Sequence, residues 1–149
     1  MGSQSDHSIM KECEKILKIL KINYQVLIVS AHRTPKRMFE FADNAAKNGF
    51  AVIVAGAGGS AHLPGMVASL ASLPVIGVPI ESKKLKGLDS LLSIAQMPKG
   101  CPVATMSING SFNAGLLAAS IIGTFDEKVN LNLEKWKRLQ TKSVKKKPK

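Results

Sequence analysis

The chain has 149 residues, of which 45% are hydrophobic, so it holds enough apolar material for one sizeable core and is not a mostly disordered polypeptide. No apolar run reaches the roughly 18 residues that a bilayer span needs, and the first residues lack the pattern of a secretory signal, so we expect a soluble, cytoplasmic protein. Residues 135–149 supply eight cations and no acid to the net charge of +11, which leaves +3 on a nearly balanced body.

The first third of the chain predicts a helix, a buried strand and a second helix. Residues 8–22 place apolar side chains at steps of three and four, which is typical of an amphipathic helix. Residues 24–30 contain an apolar run without alternation, as in a strand that is covered on both faces. Thr34 and Pro35 then predict an N-cap and a first-turn proline for a helix over 35–47.

The rest of the chain repeats this alternation of strand and helix. The pattern predicts further strands at 51–55, 74–80 and 102–107, and helices at 66–72, 87–96, 113–123 and 127–141. Such an order predicts an α/β fold, a three-layer doubly wound parallel sheet with right-handed crossovers and a C-terminal helix. We expect one domain over 1–141 and a basic, disordered tail over 142–149, because Thr, Lys, Ser and Pro bury too little surface to fold.

The topology predicts where a ligand would bind. In open parallel sheets, ligands lie outside the carboxyl ends of the strands. The strand at 24–30 leads into Ser30–Pro35, and the strand at 51–55 leads into the glycine-rich loop 56–62. His32, Arg33 and His62 are therefore expected to converge on one rim of the sheet.

Two of these segments suit a phosphorylated ligand. Arg33 lies just before a helix N-terminus, where a guanidinium and free amides favour a phosphate, and His32 can carry a proton near neutral pH. The alternative is an exposed loop histidine beside a surface arginine. At the start of the chain, Ser3 and Asp6 suit phosphate or ribose hydroxyls, although an ordinary N-cap explains them from spacing alone.

The sequence contains few motifs that would support other kinds of chemistry. Gly56, Gly58 and Ala61 formally match a dinucleotide fingerprint, but Pro64 fits only the start of a helix, so a smaller ligand is favoured over an NAD-type cofactor. HExxH, GxxxxGK[ST] and GxSxG motifs are absent, and Cys13 and Cys101 form no CxxC, which predicts reduced core thiols. Acid and base chemistry by histidine on a phosphorylated small molecule remains.

Two further classes stay open at this point. One is a non-catalytic oligomeric binding protein that retains affinity for a nucleotide. The other is a nucleic-acid binder that acts through the lysine-rich tail. The composition of the tail disfavours this class, because the tail has no aromatic side chains on which bases could stack.

The sequence resembles a known family in several ordered motifs. GSQSD at 2–6, SAHRTP at 30–35 and AGAGGSAHLPGM at 55–66 resemble the class I N5-carboxyaminoimidazole ribonucleotide mutases of bacterial purine synthesis. The likeness continues through GVPIES, GLDSLLSIAQMPKGCPVAT and NAGLLAA, and reaches about residue 140. It implies a flavodoxin-like, cofactor-free and metal-free isomerase that assembles as a homo-octamer, with active sites near subunit boundaries.

The resemblance also assigns roles to single residues. It places the catalytic histidine at His32 and the phosphate and ribose contacts at Ser3, Asp6, Ser30 and Arg33. A second set would close over the carboxylate that is moved: Ala57, Gly58, Gly59, Ser60, His62 and Leu63.

The implied reaction converts N5-carboxyaminoimidazole ribonucleotide into 4-carboxy-5-aminoimidazole ribonucleotide. The carbamate collapses to carbon dioxide and the aminoimidazole, and the ring carbon then attacks the trapped gas, with one histidine moving the proton. The related class II carboxylases use free carbon dioxide and differ at these motifs, so the resemblance favours the mutase branch.

The resemblance implies one more strand than this sequence contains. A strand of about five residues would precede Gly2 and lie inside the sheet, between the two strands that lead into the site loops. Met1 stands where that strand would end, so we expect the backbones of both neighbouring strands to lack a partner there.

Overall fold

A parallel sheet of three strands forms the centre of the molecule. The computed structural model describes residues 1–147, in which the strands are β1 (Ile53–Gly58), β2 (Val75–Ile80) and β3 (Ala104–Thr105), in the spatial order β1-β2-β3. β1 pairs with β2 from Ile53 opposite Val75, and β2 pairs with β3 from Ile76 opposite Ala104. Each strand is joined to the next by a helix, so the predicted alternation of strand and helix is confirmed in this part of the chain.

Helices cover both faces of the sheet. A 3-10 turn (Gln4–Asp6) leads into α1 (His7–Ile19), and the other helices are α2 (Pro35–Asn44), α3 (Leu63–Leu70), α4 (Leu88–Ala95), α5 (Ser111–Ile122) and α6 (Glu127–Ser143). On one face, α1 and α5 pack against Ile76 and Val78. On the other face, α2, α3 and α4 pack against Ile53 and Ala55. The α/β fold with three layers is therefore confirmed.

The buried stripe of α1 shows why this segment is helical. Met10, Cys13, Ile16 and Leu17 are all buried, at the steps of three and four that the sequence predicted. α5 approaches α1 so closely at Gly115 that a Cβ atom there would overlap the side chain of Ile16. The small residues of α5 thus allow the two helices to pack closely on the same face of the sheet.

The strand predicted at 24–30 is not formed. This segment belongs to no sheet, and β1 is the edge strand of the sheet instead of an inner one. The segment bonds to the start of the chain: the Val29 amide donates to the Met1 carbonyl (2.8 Å), and the Met1 ammonium donates to the Leu27 carbonyl (3.0 Å). A strand is defined by its ladder, and within residues 1–147 no strand lies between this segment and β1 to provide one.

Several predicted boundaries also differ from the structure. The strand expected at 102–107 pairs only at its two central residues, Ala104 and Thr105. α3 begins at Leu63, before the predicted range 66–72, because Pro64 is accommodated in the first turn of the helix. Thr34 precedes α2, but its hydroxyl bonds to the backbone of Ser30 and makes no capping bond to the helix.

The end of the chain bears on the predicted tail. α6 continues to Ser143, so the helix runs into the range 142–149 that was expected to be a disordered tail, and residues 148 and 149 lie outside the described residues. The division into a domain over 1–141 and a tail therefore stays a prediction. Within residues 1–147, no helix is both long and apolar enough to cross a membrane. Cys13 is buried as predicted, whereas Cys101 is partly exposed, and neither forms a disulfide.

Candidate active site

One cavity opens at the carboxyl ends of β1 and β2. Its volume is about 900 Å³, and its walls come from the N-terminal turn, the loop before α2, the loop between β1 and α3, and the segment after β2. All eleven residues singled out from the sequence line this cavity: Ser3, Asp6, Ser30, His32, Arg33, Ala57, Gly58, Gly59, Ser60, His62 and Leu63. The structure therefore brings together three segments that are distant along the chain.

A pair of histidines lies at the mouth of the cavity. The Nε2 atom of His32 and the Nδ1 atom of His62 are 2.8 Å apart, and the two rings meet edge to face with centroids 4.9 Å apart. At this distance one nitrogen donates a hydrogen to the other, which fixes complementary tautomers for the two rings.

The loop before α2 is held in shape by hydrogen bonds centred on Ser30. The hydroxyl of this buried serine accepts bonds from the backbone amide of Arg33 (3.2 Å) and from its Nε atom (3.4 Å). The Nη2 atom of Arg33 also donates to the carbonyl of Gly2 (3.1 Å). This arrangement fixes the guanidinium between the loop and the start of the chain, where it can serve an anion with its remaining N–H groups.

Asp6 orders the N-terminal turn from inside. Its carboxylate is buried and accepts a hydrogen bond from the backbone amide of Ser3 (3.0 Å), while the hydroxyls of Ser3 and Ser5 lie 2.6 Å apart. The two hydroxyls and the amides that begin the helical segment line the cavity, where such groups suit a phosphate. Asp6 has further acceptor capacity for a hydroxyl of the ligand.

The loop between β1 and α3 brings its backbone to the cavity. Gly59 has a φ of +65°, a conformation that glycine adopts without strain. Its amide donates to the hydroxyl of Ser90 (2.8 Å), which in turn donates to the carbonyl of Ile80 (2.7 Å). Ser90 is fully buried in α4, so it ties the loop to the end of β2. Gly56 and Gly58 lie within β1 and not in the turn, which contradicts the formal dinucleotide fingerprint.

The cavity has a fourth wall that was not predicted from the sequence. Glu81, Lys83 and Lys86 follow β2, and Asn109 follows β3; all four line the cavity. The Asn109 side chain accepts from the Glu81 amide (2.9 Å) and donates to its carboxylate (3.2 Å). The rule about carboxyl ends of strands applies equally to the strand predicted at 74–80 and could have found the residues that follow β2.

The charges around the cavity favour an anionic ligand. Arg33, Lys83 and Lys86 contribute three positive charges, against the carboxylates of Asp6 and Glu81, and Asp6 is already engaged by a backbone amide. Within residues 1–147, no three His, Cys, Asp or Glu side chains converge in a way that could hold a metal ion. The arrangement places a hydrogen-bonded pair of histidines and three positively charged side chains on one cavity.

The fold and the site together define the class to which the chain belongs: α/β proteins that present a ligand cavity at the carboxyl ends of a parallel sheet. Residues 1–143 match the family model described as AIR carboxylase, and the chain belongs to this family.

Relatives and solved structures agree with this assignment. The chain is 55% identical over 144 residues to an N5-carboxyaminoimidazole ribonucleotide mutase of Thermotoga maritima, an alignment that covers 97% of this chain and 84% of the relative. It is 50% identical over 146 residues to the mutase of Escherichia coli, covering 97% and 86%, and 63% identical over 123 residues to that of Saccharolobus solfataricus, covering 83% and 78%.

The fold is similar to that of a solved protein described as PurE of Treponema denticola. The TM-score is 0.84 at 26% identity, over 95% of this chain and 89% of the other. A variant of PurE2 from the same organism matches with the same TM-score at 25% identity, over 95% of this chain and 88% of the other. The flavodoxin-like fold and the family resemblance expected from the sequence are therefore confirmed.

Proposed function

We propose that this chain is an isomerase of purine biosynthesis that converts N5-carboxyaminoimidazole ribonucleotide into 4-carboxy-5-aminoimidazole ribonucleotide. One observation carries the proposal: the hydrogen-bonded pair of His32 and His62 at the mouth of a cavity that also contains an anion site. The reaction needs a proton donor and acceptor next to a held phosphosugar, and the relatives are named as mutases of this substrate.

The first step is collapse of the carbamate. The bond between the exocyclic nitrogen and the carboxyl carbon breaks, carbon dioxide is released, and the nitrogen receives a proton from His32. The ring carbon then attacks the carbon dioxide. At this stage the ring carbon carries both the new carboxylate and its original hydrogen, and this hydrogen leaves as a proton that returns to His32. His32 gives one proton to the nitrogen and recovers one proton from the ring carbon, so a single imidazole serves both steps.

His62 keeps His32 in the form that this cycle needs. Their 2.8 Å hydrogen bond fixes which ring nitrogen of His32 carries hydrogen, and therefore which one is available for the substrate.

The phosphate and ribose are held by the segments that line the same cavity. We assign the phosphate to Ser3, Ser30 and Arg33, and a ribose hydroxyl to Asp6. Arg33 is fixed by its bonds to Ser30 and to the Gly2 carbonyl, so little side-chain freedom remains to be lost when the phosphate binds. The anchored phosphosugar then presents its base to His32.

The glycine loop holds the carbon dioxide between the two steps. Ala57, Gly58, Gly59 and Ser60 expose backbone close to the cavity, and Leu63 adds an apolar side chain. Backbone amides stabilise a carboxylate, and an apolar wall excludes the water that would hydrate the gas. The bond from the Gly59 amide to Ser90 fixes the position of this loop before the substrate arrives.

A carboxylase that uses free carbon dioxide is the closest alternative within the family. The family description itself names AIR carboxylase, but relatives that are 50% to 63% identical to this chain are named as mutases. The two activities differ in one respect that can be measured, which is whether the carboxyl carbon exchanges with dissolved bicarbonate.

The test uses a substrate labelled with ¹³C in its carboxylate, in a buffer that contains unlabelled bicarbonate. A mutase transfers the label to the ring carbon, and the product retains it; a carboxylase makes product only from the unlabelled pool. Product without label would overturn the mutase assignment. A shift in melting temperature on substrate binding without any product would mean a non-catalytic binding protein and would overturn the enzyme assignment altogether.

The proposal also covers the cofactor requirement, the location, the assembly and the partners of the enzyme. We keep a cofactor-free reaction, a cytoplasmic location and a homo-octameric assembly as parts of it. Exposed apolar side chains support assembly, among them Leu85, Leu88 and Leu92 around the start of α4. Light scattering tests the octamer, and a monomer at micromolar concentration would contradict it. Nucleic acid is not a proposed partner, and removing residues 142–149 is expected to leave turnover unchanged.

A further inference from the structure

Ser90 lies outside the lining of the active-site cavity and joins two of its walls. Its side chain is fully buried in α4. The hydroxyl accepts a hydrogen bond from the Gly59 amide (2.8 Å) and donates one to the Ile80 carbonyl (2.7 Å), and both of these residues line the cavity. Ser90 can therefore act on a bound ligand only through the residues that it holds.

The Ile80 carbonyl is a fixed point for this hydroxyl. The peptide between Ile80 and Glu81 is bonded on both sides, because Ser90 bonds to its carbonyl and the Asn109 side chain accepts from its amide (2.9 Å). Asn109 is held in turn through its own amide, which donates to the Pro79 carbonyl (2.8 Å). β2 is also the central strand, paired with both β1 and β3. The end of β2 therefore keeps its position without Ser90, and Ser90 ties the glycine loop to it.

The glycine loop depends on this tie for its position. Over residues 59–61, the backbone makes two local hydrogen bonds of 2.8 Å, one of which joins the Ala61 amide to the Gly59 carbonyl. These local bonds fix the shape of the loop. Within residues 1–147, the only backbone bond from 59–61 to another segment is the one from Gly59 to Ser90. Loss of the Ser90 hydroxyl would therefore release the loop without removing any group that lines the cavity.

The glycine loop is where the proposed function places the carbon dioxide between the two steps. The released gas is uncharged, so no ion pair holds it in the cavity. A loop that is free to move gives the gas a way out and admits water. Escaped carbon dioxide reacts with water to give bicarbonate and a proton, while the aminoimidazole remains with the proton that it received from His32. Retention of the gas therefore decides between transfer and escape.

We propose that Ser90 is a positioning residue for the retention of carbon dioxide: through Gly59, its hydroxyl holds the glycine loop beside the gas until the ring carbon attacks. The inference rests on the proposed function and adds to it the group that decides between transfer and escape. A role in stability alone would lower the number of folded molecules, but each of them would still retain its gas. The two roles therefore differ in the labelled fraction of the product.

The test follows a substrate labelled with ¹³C in its carboxylate, in unlabelled bicarbonate, with carbonic anhydrase present to keep the dissolved pool in equilibrium. Escape is measured as unlabelled product plus free aminoimidazole ribonucleotide, after subtraction of an enzyme-free sample. For Ser90→Ala, we expect the ratio of escape to transfer to rise about tenfold, which corresponds to the loss of one hydrogen bond of about 1.4 kcal/mol. Ser90→Cys keeps a weaker donor and acceptor, so its ratio should lie between those of Ser90→Ala and the wild type.

Ser93→Ala is the matched control. The Ser93 hydroxyl also belongs to α4, but it donates to the Asp89 carbonyl within the same helix (2.7 Å). This variant removes the same atom from the same helix and leaves the glycine loop bonded, so its ratio of escape to transfer should equal that of the wild type. Urea denaturation gives the folded fraction of each variant. If Ser90→Ala is unfolded at the assay temperature, Ser90→Cys decides in its place.

Two results would overturn this inference alone. One is a wild-type chain that transfers the label together with a folded Ser90→Ala, or Ser90→Cys in its place, that retains the label equally well. The other is an equal rise in escape for Ser93→Ala, which would mean that any disturbance of α4 opens the loop. A wild-type chain that yields no labelled product would overturn the proposed function, and this inference with it.

Discussion

Replacing the two histidines singly and together tests whether they act as one unit. His32→Asn removes the group that exchanges the proton, and loss of such a group costs about two to four decades in kcat, or about 2.7 to 5.5 kcal/mol. His62→Ala removes the single 2.8 Å hydrogen bond that fixes His32, worth about 1.4 kcal/mol, so we expect a loss of about tenfold. Because His62 acts through His32, the double variant should lose no more than His32→Asn alone.

The assay is formation of labelled product under steady-state conditions, with KM determined for each variant. KM for the phosphosugar should change little, because the phosphate is held by other residues. Folding should survive both substitutions, since the two side chains are exposed and the His62 side chain makes no capping bond to α3. The reasoning fails if His32→Asn retains more than about a tenth of the wild-type rate, or if the two losses multiply in the double variant.

Three further predictions concern single side chains. Ser90→Ala leaves the Gly59 amide without its buried partner and should lower the free energy of unfolding by about 1 to 3 kcal/mol, measured by urea denaturation; no loss of stability would contradict the role of this hydroxyl. Lys83→Ala should raise KM for the anionic substrate about two- to fivefold, whereas Lys84→Ala, one residue outside the cavity lining, should not; equal effects would refute a local contact. Burial raises the pKa of Cys13 from 9.0 to about 12, so above pH 9 the unfolded chain loses the thiol proton before the folded chain does. The free energy of unfolding should therefore fall by up to about 1.4 kcal/mol per pH unit. A Cys13→Ala chain whose free energy of unfolding falls equally steeply with pH would contradict this.

Much of the fold could be predicted because its signals are local. The buried stripe of α1 repeats every three to four residues, and the apolar run of β2 has no alternation because helices cover both of its faces. The cavity could be predicted from topology, since His32 and His62 each lie in a loop that follows a predicted strand. The 2.8 Å bond between them depends on the packing of two loops and has no sequence signal.

The segment 24–30 shows where local signals fail. Its apolar run indicates a strand, but a strand also needs neighbours at ladder distance, and neighbours are a property of the whole sheet. Ser90 was missed for a similar reason, because a serine inside a predicted helix carries no sign that it bonds to Gly59, which is 31 positions away. Both features depend on contacts between segments distant in sequence, which periodicity does not encode.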